Sequence, residues 1–138
     1  MNITVSSGAR SQGYWKNHAW PVATVTVGGV VYTRAEAIAI MNLPTTGNAI
    51  LQLWDQLVAA KLNKINGAIL STADQLALDD GDLAIIAATG GLKLKASGKI
   101  LVYAVSNSAA TVSITSILGR RMNADAAILE AFNTSSGL

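Results

Sequence analysis

The sequence contains no cysteine. A disulfide framework and a thiolate metal site are therefore excluded, and packing must hold the fold together. Charge is the next scarcity. Asp, Glu, Lys and Arg make up 13% of the chain, where an average domain carries about 25%. A dispersed monomer builds its surface from mixed charge. This chain must build it from small and uncharged residues, or cover it with neighbouring subunits. The basic residues are scattered and form no basic run, which argues against a nucleic-acid partner. No apolar run approaches the ~20 residues of a spanning helix, so no membrane span is expected. Residues 1–10, MNITVSSGAR, have neither a basic nor an apolar leader region, so no signal peptide is expected in this chain.

What is present is apolar: 51% hydrophobic residues and a mean hydropathy of +0.39. The length of 138 residues suits one domain with a sizeable core. The expected class is α+β: a small helical core, an N-terminal hairpin, and an antiparallel three-stranded meander in the C-terminal half. Residues 1–23 read as an extended arm, in which Ile3 and Val5 alternate with polar neighbours. Residues 24–91 read as hairpin and helices. TVTVGGVVY places Gly28-Gly29 between β-branched arms. Thr33 and Glu36 form a capping box for a short helix, 34–41. The main helix, 47–66, carries a stripe of Ile50, Leu53, Trp54, Leu57, Val58, Leu62 and Ile65, interrupted by Lys61. Ser71 caps a third helix expected to stop near 78. Residues 92–118 read as the meander, and 119–138 as a final helix, starting at Asn123, with a tail.

The acids DDGD, Asp79 to Asp82, read as a solvated turn; Asp79, Asp80 and Asp82 are a weak calcium candidate, because hard cations seek clustered oxygens. Asp55 and the remaining acids read as helix-face or helix-start residues. No other metal site and no cofactor is expected. Nucleophile-elbow, phosphate-loop and dinucleotide patterns are absent, so no enzyme is expected. Asn2-Ile3-Thr4 and Asn133-Thr134-Ser135 match the glycosylation sequon.

The densest chemistry lies in SQGYWKNHAW, residues 11–20, with Tyr14, Trp15, Trp20 and the only histidine, His18. Two readings compete. The rings can line a sugar-stacking platform, with Tyr14, Trp15, His18 and Trp20 as binding residues. Alternatively they form an apolar plug whose polar edges find partners, pinning the arm to the core beside Trp54. The second reading makes His18 a structural hydrogen-bonder.

QGYWKNHAWPV followed by VTVGGVVYTRAEAIAIMNLPTTGNAILQLWDQLVAAKLNKINGA resembles the Gly-Tyr-Trp-Lys-Asn-His module of predicted secreted and surface proteins of bacteria and archaea. The resemblance spans residues 12–68, with a weaker echo in AILEAFNTSSG. It implies an extracellular or cell-surface setting and no defined enzymatic activity. The meander departs from the module as an elaboration. The expectation is thus a non-enzymatic, self-associating subunit of an extracellular fibre, surface layer or phage particle. Its partners would be copies of itself, glycans or other surface or virion proteins, with Ile3 and Val5 contributing to assembly by strand exchange. The alternative is a cell-surface carbohydrate-binding module.

Overall fold

The computed structural model describes residues 8–135. Ile3, Val5 and the Asn2 sequon lie outside the described residues. The chain is α+β. In order it forms α1 (Gln12–Asn17), β1 (Thr24–Val27), β2 (Val30–Thr33), α2 (Arg34–Met41), α3 (Ala49–Ile65), α4 (Thr72–Thr89), β3 (Leu94–Ser97), β4 (Ile100–Tyr103) and α5 (Ile117–Asn133).

Helix α3 is the axis of the molecule. Its side chains Ile50, Leu53, Trp54, Leu57, Val58 and Leu62 are buried, as the stripe requires, but so are Leu51, Ala59 and Ala60 on the other side. A helix that is apolar around its circumference is a buried helix. Here α4 and α5 cover part of α3, while α1, α2 and β1 cover the rest. Ile65, at the end of the stripe, is instead half-exposed.

Strands β1 and β2 pair antiparallel, Val27 opposite Val30, around Gly28 and Gly29 at φ 58° and 76°. Positive φ at both loop positions is what a two-residue hairpin of this hand demands. The turn rests on α4: Asp82 accepts from the Gly28 amide at 2.9 Å. Val25, Val27 and Tyr32 face inward, and the Tyr32 ring meets Trp54 edge-on at 4.8 Å. The capping box of Thr33 and Glu36 is formed.

Four expectations are corrected. The N-terminal segment is not extended throughout, because Ser11 caps α1 by accepting from the Tyr14 amide. Helix α4 does not stop near 78; it runs through DDGD to Thr89 and ends on Gly90 at φ 65°. Gly81 sits there for packing, since a Cβ would lie 3.1 Å from Leu57 Cδ1. The meander is a two-stranded hairpin, β3–β4. The expected third strand is reduced to a bridge between Val102 and Ala109. It is drawn away where Asn48, capping α3, accepts from the Val112 amide and donates to the Ala110 carbonyl. Finally, α5 begins at Ile117, six residues before Asn123, because Ser116 caps it.

Candidate functional site: a polar pocket under the aromatic helix

Helix α1 divides the QGYWKNH residues between two faces. Trp15 faces inward and is buried. Its indole N–H donates to Asn63 Oδ1 of α3 at 3.0 Å. Asn63 is fully buried and makes three further bonds. It accepts from the Arg10 amide at 2.8 Å, and its Nδ2 donates to the Arg10 carbonyl at 2.8 Å and to Asn133 Oδ1 of α5 at 3.0 Å. One amide thus joins the N-terminal segment, α3 and α5. Trp20 closes the loop by donating to the Trp15 carbonyl at 2.7 Å.

The plug therefore exists, but not beside Trp54. Asn63 lies nine residues further along α3, roughly 13 Å at the helical rise. Trp54 is paired with Tyr32 and donates to the Ala37 carbonyl.

On the outer face, His18 stacks on Tyr14 at 3.7 Å between centroids and donates from Nδ1 to the Tyr14 carbonyl at 2.7 Å. A carbonyl can only accept, so the proton resides on Nδ1. Arg34 donates to the His18 carbonyl and lies 5.8 Å from the Trp20 ring centroid. The candidate residues Tyr14, His18 and Trp20 are thus brought together, while Trp15 is withdrawn beneath them. A stacking platform using all three of Tyr14, Trp15 and Trp20 is not what this arrangement presents.

The acids of DDGD diverge. Asp79 accepts from Gln75, Asp80 takes a bidentate bond from Arg121, and Asp82 holds Lys61 and the hairpin turn. Among the described residues no three acids or histidines converge on a metal position. Asn133 of the second sequon is buried, its amide donating to Gln56 Oε1 and the Gln56 carbonyl.

No known protein family, curated protein or solved structure matches this chain.

The site must then be read from geometry. Where α1, α3 and α5 meet lies a cavity of about 330 Å³, lined among others by Gln12, Gln52, Asp55, Gln56 and Glu130. Asp55 is only 7% exposed, and its Oδ1 receives no hydrogen bond; Gln12 Oε1 is likewise buried and unpartnered. Burial pushes the Asp55 carboxyl up to about 7, against the opposing charge of Lys16. Desolvation outweighs attraction because no donor stabilises the anion directly.

A second unusual carboxyl sits between α4 and α5. Asp125 is raised by burial and by its hydrogen bond to Asp80, whose own carboxyl is held low by Arg121. Arg121 lies on the Asp80 side, so Asp80 is the one of the two that holds its charge.

Sequence reasoning missed Gln12, Asp55 and Asn63. Asp55 read as a helix-face acid. One signal was available: it is flanked at i−4 and i+4 by Leu51 and Ala59, so a helix buried on two sides must bury it too. Gln12 and Asn63 carried no comparable signal.

Proposed function

We propose that the protein is a non-enzymatic, self-associating structural subunit of an extracellular or cell-surface assembly. The observation that carries this reading is the set of exposed leucine and isoleucine side chains on the outer face of α4. Leu76, Leu83 and Ile86 fall on one side of the helix, with Leu76 64% and Leu83 57% exposed, and the exposed Asp79 sits among them. Beyond it, Val31 of β2, Ile65 of α3 and Ile69 are also exposed, Ile69 to 80%. Scattered exposed apolar residues are ordinary, but such a set on a chain this poor in charge is a surface that water disfavours. A second copy covers these side chains, and Asp79 among them already accepts from Gln75. The resemblance of residues 12–68 to the Gly-Tyr-Trp-Lys-Asn-His module supports the extracellular setting. Ile3 and Val5 belong to this proposal as a strand that a neighbour would receive.

The test is the mass of the full chain in solution, by light scattering and negative-stain imaging, alongside Leu83→Glu. A concentration-dependent oligomer that Leu83→Glu weakens, with helical content unchanged, is the expected result. A monomer at all concentrations, or an oligomer indifferent to that charge, sinks the reading.

A further inference from the structure

The polar pocket is not used by the proposed assembly. It holds two acceptors without donors, the Asp55 and Gln12 oxygens, in one cavity. Buried polar atoms in folded proteins are nearly always paired, and an orphan forfeits its hydration without compensation. Both orphans being oxygens, the missing chemistry is a donor, and Asp55 and Glu130 make it a positive one. We propose that this pocket binds a primary ammonium group, carried by a small amine or by the lysyl side chain of a protein ligand, with Asp55 as counter-ion and Gln12 and Glu130 as further acceptors.

Three considerations select an ammonium. A hard metal ion wants about six or more oxygens, and no cluster of three acids or histidines is formed among the described residues. A guanidinium recognises both oxygens of one carboxylate in one plane, whereas the unpartnered oxygens here come one from Asp55 and one from Gln12. An ammonium is a compact charge with three donors; because both orphan oxygens are closed off from solvent, its entry requires Gln12 to move aside. The cavity volume of about 330 Å³ lies at the small end of ligand sites, and Ala126 and Ala127 of α5 supply an apolar wall for a short alkyl stem.

Binding must draw the proton off Asp55. The charged groups facing it are Lys16 from α1 and Glu130 from α5; the α3 residues that line the cavity beside it, Gln52 and Gln56, are neutral. With a carboxyl near 7, the ionised fraction, and with it the affinity, falls about a hundredfold between pH 8 and pH 5.

The experiment is a titration of the full chain at pH 8 followed by amide chemical shifts. n-Butylamine represents a free amine, Nα-acetyl-lysine amide a lysyl side chain, and tetramethylammonium a charge without donors. Saturable shifts around Gln12 and Asp55 are expected with one or both of the first two, and the tighter of them names the source. Asp55→Asn should weaken binding by about tenfold or more, the loss of a charge-assisted bond. Glu130→Gln, at the exposed rim, should weaken it severalfold and serves if Asp55→Asn does not fold. Equal binding of tetramethylammonium, a flat response between pH 8 and pH 5, or no saturable shift overturns the proposal. So does binding seen only in Lys16→Met, which would assign the pocket to the chain's own Lys16.

Discussion

Gly119, in the first turn of α5, sets two effects of opposite sign against each other. Its φ is not in the left-handed region, so helix propensity alone makes Gly119→Ala stabilising by about 1 kcal/mol. Sterics oppose this. An added Cβ would stand 1.9 Å from the Ser113 carbonyl oxygen and 3.0 Å from Ser116 Oγ. The carbonyl would have to retreat by more than 1 Å, and it is backbone, not the free end of a flexible side chain. That carbonyl accepts from the Ser116 amide at 3.1 Å and the Ser116 hydroxyl at 2.7 Å. Ser116 Oγ in turn caps the Gly119 amide at 2.9 Å. Opening the turn loses a cap worth about 1 kcal/mol and a hydrogen bond worth about 1 kcal/mol. Residual strain adds roughly 1–3 kcal/mol. The sum exceeds the propensity gain, so Gly119→Ala should destabilise by about 2–4 kcal/mol and lower Tm by roughly 6–16 °C. Urea unfolding followed by circular dichroism measures it. Gly81→Ala is the control: its Cβ would meet only side-chain ends, Leu57 Cδ1 at 3.1 Å and Leu53 Cδ1 at 3.4 Å, which can yield, so the change should stay within about 1 kcal/mol of wild type. If Gly119→Ala is as stable as wild type, or if Gly81→Ala costs more, the steric reasoning is wrong.

Asn63→Ala should cost about 3 kcal/mol or more, because it removes four hydrogen bonds and strands the buried Trp15 indole N–H; denaturant unfolding that shows a loss under 1 kcal/mol would refute the bracket. Stability should also depend on pH with an unusual sign. Asp55 and Asp125 are raised in the folded state, so their contribution is present at low pH and is lost as pH rises from about 4 to about 7. Asp80 is lowered, so its contribution is lost as pH falls towards 2. The urea midpoint should therefore peak near pH 4 and decline to neutrality, with Asp55 alone accounting for up to about 4 kcal/mol. Asp55→Asn should flatten much of that decline, and a midpoint that climbs steadily from pH 4 to pH 8 contradicts the assignment.

Local chemistry was legible in the sequence wherever neighbours in the chain settle the structure. The Gly28-Gly29 hairpin, the Thr33–Glu36 capping box and the Ser71 cap of α4 each depend on residues within four positions, and each formed where expected. The burial of Trp54 followed from helical spacing. Where a local signal competes with packing, the tertiary structure decided. DDGD carries turn-forming residues, yet Gly81 packs closely against Leu57, and Asp80 and Asp82 find cations on α5 and α3, so the helix continues. The alternating residues after 108 suit a strand, yet Asn48 captures their backbone and Ser116 starts a helix. The pocket belongs wholly to this second category. Gln12, Asp55 and Glu130 are far apart in sequence, and none is unusual where it stands. Only the packing of α1 and α5 on α3 removes their water and brings them to one cavity, and desolvation is a property of that packing.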